Sequence, residues 1–132
     1  MIGVDTNVLV RYITQDDSVQ SAAATRFLES ELSVERKGFV SSIVLCEVAW
    51  VLARTCKLDR SELAQVLERI LRANVLEHED AVSALAALRE FHTSRLSFAD
   101  CLIAHRCKHA GCTEIVTFDA DFARRDGVRL LG

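Results

Sequence analysis

Short β-rich apolar runs alternate with longer stretches of helical periodicity along almost the whole chain, and this alternation limits the available folds more than any other feature. The apolar runs fall at Ile2 to Val4, Phe39 to Val40, Val75 to Leu76, Ile115 to Phe118 and Val128 to Leu131, each of strand length. Helical patterns fill the intervals: Asn7 to Ile13, Ser18 to Ser33, Ile43 to Thr55, Ser61 to Ala73, Ala81 to Phe91 and Ser97 to His109. Strands alternating with helices imply right-handed βαβ crossovers and an α/β fold with a mostly parallel central sheet, covered on both faces in three α/β/α layers. In such sheets, ligands bind beyond the carboxyl ends of the strands.

Local signals support these boundaries. Asp59 or Ser61 can cap the fourth helix, Ser97 stands three residues before Asp100 in a near capping box, and Gly111 fits a helix stop. Proline is absent, glycine is sparse, and no linker or repeat interrupts the chain, so 132 residues read as one domain. No apolar run approaches the roughly 20 residues needed to cross a membrane, and the N-terminus carries no export signal, so a cytoplasmic location is expected. The five cysteines form no C-x-x-C pair and are expected as buried free thiols. A net charge of -3 argues against a surface that is basic all over, so any nucleic-acid contact must be local.

Four carboxylates carry the chemistry. Asp5 follows the first strand directly, and Asp119 stands just after Ile115 to Phe118, so both fall at strand carboxyl ends. Either could simply cap the helix that follows it. Glu47 is less ordinary: its helical neighbours Ile43, Val44, Trp50 and Val51 are all apolar, which places it on the core-facing side of its helix. Asp100 repeats the pattern with Leu96, Ile103 and Ala104, Ser97 being the polar exception.

Ionised carboxylates on apolar faces need compensation. Arginine partners are one answer, and Arg11, Arg54, Arg95 and Arg106 are available. If the four acids meet, their mutual repulsion raises their pKa values, and a divalent cation relieves it. Oxygen-only ligands select hard ions, Mg²⁺ or Mn²⁺, which retain waters and leave room for a phosphate. Phosphodiester hydrolysis by a metal-activated water is the natural use of such a pocket. Thr6, Asn7 and Thr117 flank the acids and could orient them, or serve as turn and cap residues, while Asp121 is a possible fifth acid.

Val4-Asp5-Thr6-Asn7, Glu47 in a helix after Val40-Ser41-Ser42, Ser97-Phe98-Ala99-Asp100 and Thr117-Phe118-Asp119-Ala120-Asp121-Phe122 together resemble the PIN-domain family, in its VapC-like toxin branch. Each motif alone is weak, but their order and spacing span essentially the whole chain. The resemblance implies a three-layer α/β/α PIN-like domain over residues 1–132 and a Mg²⁺- or Mn²⁺-dependent endoribonuclease. It also implies Asp5, Glu47, Asp100 and Asp119 as the acidic quartet, with Asn7 and Thr117 assisting. It further implies an RNA substrate, a homodimer, and a VapB-like antitoxin that joins it in a higher assembly and inserts a segment into or near the active-site groove.

Arg11, Arg95, Arg106, Arg124 and Arg125 are the candidates for holding the RNA strand. The alternative function is a PIN-like module that binds RNA or protein without cutting. A Zn²⁺ site from Cys101, His105, Cys107, His109 and Cys112 matches no finger or ribbon spacing. A phosphoryl-accepting receiver domain would want a lysine after the late strand, and a haloacid-type phosphatase would want D-x-D where this chain has Asp5-Thr6-Asn7.

Overall fold

In a computed structural model describing residues 1–132, the chain forms two compact units, Met1–Ala81 and Val82–Gly132. In the first, β1 (Ile2–Gly3) leads into α1 (Thr6–Thr14) and α2 (Ser18–Arg26), followed by β2 (Gly38–Val40), α3 (Ser42–Arg54), α4 (Arg60–Arg72) and β3 (Leu76–His78). The strands form one parallel sheet in the order β1-β2-β3, with Gly38 beside both Ile2 and Leu76. Gly38 has to be glycine for steric reasons. A Cβ there would lie 2.8 Å from Val4 Cγ2 and 3.0 Å from Leu32 Cδ1, closer than packed side chains tolerate.

Capping residues set the helix starts. Asp5, Asp17 and Ser41 accept backbone N–H bonds at the starts of α1, α2 and α3. At α4 the choice falls on Asp59, which shares a reciprocal capping box with Glu62 at 2.8 and 2.9 Å. The second helix ends earlier than its apolar pattern suggests: after Arg26 it widens into a π-helical turn over Phe27–Glu31, closed by Leu32 N–H to Phe27 C=O at 3.1 Å. Leu45, Val48, Ala49 and Leu52 of α3, and Leu63, Ala64 and Leu67 of α4, are buried.

The second unit holds α5 (Ala81–Thr93, whose first residue lies at the boundary), α6 (Phe98–His109), β4 (Ile115–Thr117), a 3₁₀ turn at Phe122–Arg124 and β5 (Val128–Leu130). β4 and β5 pair in parallel as their own two-stranded sheet, Ile115 beside Val128. Ala104, Phe122 and Val128 form a buried cluster, with Leu96, Ile115 and Ala123 packed against it. All strand pairings in both sheets are therefore parallel, in two ladders rather than one. No helix is long and apolar enough to cross a membrane.

Candidate active site

Asp5 and Glu47 belong to the first unit. Asp5 sits where β1 gives way to α1, and its Oδ1 accepts the Thr6 N–H at 2.8 Å. Thr6 then donates its hydroxyl to Glu47 Oε1 at 3.2 Å, so one threonine contacts both carboxylates, through its amide and its hydroxyl. α3, which carries Glu47, is held at its start twice over. Ser41 Oγ accepts from Val44 N–H at 3.2 Å, and the Glu79 carboxylate accepts from Ser42 N–H at 2.9 Å.

The expectation that Glu47 faces the core is corrected. Glu47 is exposed, and its apolar neighbours Ile43 and Trp50 are 73% and 60% exposed, whereas the buried face of α3 runs through Leu45, Val48, Ala49 and Leu52. Glu47 is thus a solvent-accessible carboxylate bordered by an exposed apolar surface. Asn7, in the first turn of α1, is exposed too and lines a cleft of about 440 Å³ with Val8, Arg11 and Phe27.

Asp100 and Asp119 belong to the second unit. Ser97 Oγ accepts the Asp100 N–H at 3.1 Å, which fixes Asp100 in the first turn of α6. Its own carboxyl is pushed above the usual carboxylate range, first by burial and then by the negative charge of Asp119, with only the Ser97 hydrogen bond acting against them. Asp119 is held in a tight loop after β4: its N–H donates to Thr117 Oγ1 at 3.0 Å, and its Oδ1 accepts from Asp121 N–H at 2.9 Å and Phe122 N–H at 3.3 Å. Thr117 therefore shapes the loop backbone, and Asp121 is exposed at the start of the 3₁₀ turn.

The four acids thus fall two to a unit, Asp5 with Glu47 braced by Thr6, and Asp100 with Asp119 braced by Ser97, Thr117 and backbone amides. Their donors are all carboxylate oxygens, the kind that suits a hard divalent ion in preference to Zn²⁺. Nowhere in the chain do three or more His, Cys, Asp or Glu side chains converge closely enough to hold an ion as they stand. The cysteine and histidine set around α6 forms no zinc site either, and His105 is engaged elsewhere.

His105 Nε2 lies 2.8 Å from Glu90 Oε1, and Arg125 grips the same carboxylate with Nε to Oε2 at 2.6 Å and Nη2 to Oε1 at 3.0 Å. This cluster ties α5, α6 and the 3₁₀ turn together and was not visible in the sequence. Arg125 is thereby committed within the fold, as is Arg11, which bonds Gln20 at 2.8 Å and Asp16 at 3.0 Å. Arg95, Arg106 and Arg124 are exposed. The Arg125 hydrogen bond, aided by His105, outweighs burial and holds the Glu90 carboxyl below its ordinary value of 4.5. A depressed carboxylate stabilises the fold at pH above its unfolded value, and the benefit disappears as pH falls through the lower, folded value. Glu90→Gln is expected to cost about 1–3 kcal/mol at neutral pH. The gap from the parent should close as urea unfolding is repeated at acidic pH, below that range.

The PIN domain family matches residues 2–128. The chain belongs to the PIN-domain family, and its fold class is the α/β/α class that the sequence pattern implied. It is also 25% identical over 122 residues to the VapC ribonuclease of Aquifex aeolicus (strain VF5), an alignment covering 92% of this chain and 89% of that protein.

Proposed function

We propose that this chain is a metal-dependent endoribonuclease of the VapC type, a single PIN domain over residues 1–132 in which Asp5, Glu47, Asp100 and Asp119 act together on one or two Mg²⁺ or Mn²⁺ ions. The observation that carries the reading is the closeness of Asp100 and Asp119 in the second unit: burial and the charge of Asp119 push the partly buried Asp100 carboxyl up, a cost that a divalent cation would relieve. A divalent ion held there would supply Lewis acidity to the phosphoryl group and lower the pKa of the attacking water. The protein's own part is positional. Thr6 holds Glu47, Ser97 and the start of α6 hold Asp100, and the Thr117 turn presents Asp119.

RNA is the substrate in this reading, with Arg95 and Arg124 contacting phosphates more readily than Arg11 and Arg125, whose guanidinium groups already serve Asp16 and Glu90, and with Arg106 a further exposed candidate. A VapB-like antitoxin, a homodimer and a cytoplasmic setting complete it. The exposed Ile43 and Trp50 beside Glu47, and Phe118 at 80% exposure beside Asp119, are apolar surface of the sort that assemblies cover.

The test is incubation of purified protein, free of antitoxin, with a mixed cellular RNA pool in Mg²⁺, in Mn²⁺ and in EDTA. Discrete fragments that form only with metal are expected. Intact RNA under every metal condition, with the protein folded, would favour the non-catalytic binding module.

A further inference from the structure

The end of α6 brings two thiols together. Gly111 N–H donates to Lys108 C=O at 3.0 Å and Cys112 N–H to Cys107 C=O at 3.0 Å, while Gly111 adopts φ +89. This is the Schellman arrangement, in which the residue in the last helical turn and the one just past the glycine face each other, commonly through an apolar contact. Here both positions are cysteine, and Cys112 lies close enough to act on the Cys107 thiol. All five cysteines are free, but the expectation that they are buried holds only for Cys101: Cys112 is exposed, Cys107 is partly exposed, and both line a cleft of about 360 Å³ with Lys108 and Glu114.

We propose that Cys107 and Cys112 are a redox modification site, closing to a reversible intramolecular disulfide when the protein meets a peroxide. The backbone of the turn is already fixed by two hydrogen bonds, so little chain entropy remains to be lost on closure. A disulfide requires closely spaced Cα atoms, and the Cys112 N–H to Cys107 C=O hydrogen bond draws the two backbones together. Proximity carries the reaction, because burial and the neighbouring thiol push the Cys107 thiol up and disfavour its thiolate. Cys112, the more exposed sulfur, reacts first.

The Cys112 thiolate attacks one peroxide oxygen and breaks the O–O bond. Hydroxide leaves, takes up a proton to become water, and Cys112 is left as a sulfenic acid. The Cys107 thiolate then attacks that sulfur, the S–O bond breaks, and a second water departs with the remaining proton. Two thiols and one peroxide thus give one disulfide and two waters, the sulfurs supplying two electrons. The bond spans the joint between α6, which bears Asp100, and β4, which leads to Asp119.

Reduced full-length protein treated with hydrogen peroxide, alkylated and digested with trypsin gives a direct readout. Cleavage after Arg106 and Lys108 places the two cysteines on separate peptides, so the bond would join Cys107-Lys108 to the peptide beginning at His109. That linked pair is expected in the parent, reversed by dithiothreitol and absent in Cys112→Ser, whose substitution lies at an exposed turn. Recovery of both cysteines alkylated would overturn the proposal, as would either one as a sulfinic acid or linked to another cysteine or another chain.

Discussion

An Asp100→Asn protein is expected to lose RNA cleavage by on the order of 10²- to 10³-fold while retaining its fold. The substitution keeps the backbone N–H that Ser97 Oγ receives and changes neither the size nor the capping of α6. It removes one negative charge from a partly buried position that burial and Asp119 already make unfavourable for the ionised form. The sign follows from the direction of that shift. A carboxyl whose folded pKa lies above its unfolded value stabilises the fold only at low pH, and becomes a cost as pH rises through the folded value. At neutral pH without metal, the variant should therefore unfold at a temperature equal to or higher than the parent. A variant that loses both cleavage and stability would mean that Asp100 serves the fold instead of the chemistry.

Phe98→Ala is expected to produce the largest loss of stability, about 3–5 kcal/mol, a large share of the 5–15 kcal/mol typical of a domain. Phe98 opens α6, is 2% exposed, and meets Phe91 edge to face at 6.2 Å and 80°. Truncation removes that contact and leaves a cavity beneath the turn that carries Asp100. Phe98→Leu, which fills more of the space, should lose substantially less. Urea unfolding of the three proteins measures the series, and a Phe98→Ala loss below about 1 kcal/mol would mean that the site collapses around the missing ring.

Much of this architecture could be read from the residues because local rules wrote it. Asp17, Ser41, Asp59 and Ser97 sit where helices begin and accept the amides expected of caps, so helix starts differ from expectation by a residue or so. The face of Glu47 could not be read in the same way. α3 carries apolar residues almost all round, Ile43, Val44, Leu45, Val48, Trp50 and Leu52 among them, and a period with apolar side chains on both sides does not say which side is buried. Apolar neighbours therefore indicated a buried acid where the structure has an exposed one. The Glu90, His105 and Arg125 cluster was illegible for another reason. Its members lie 15 and 35 residues from Glu90 in sequence, and no local pattern links side chains that only tertiary packing brings together. The same holds for Glu79, which reaches 37 residues back to Ser42.

The acids themselves stood out because each occupies a position whose chemistry is constrained twice. Asp5 and Asp119 each follow closely on a strand and accept backbone amides, a capping duty that asparagine performs equally well. Asparagine at either position therefore separates the structural role from the role in holding a cation.

That separation gives the most direct test of the claim that the four carboxylates act as one metal site. Mn²⁺ binding to metal-free protein would be titrated by calorimetry for the parent, Asp5→Asn from the first unit and Asp119→Asn from the second, each with its fold verified by circular dichroism. The parent is expected to bind Mn²⁺, and either substitution, made alone, to weaken binding by about tenfold or more. Binding left unchanged by one of the two substitutions would contradict it, since the pairs would then not share an ion.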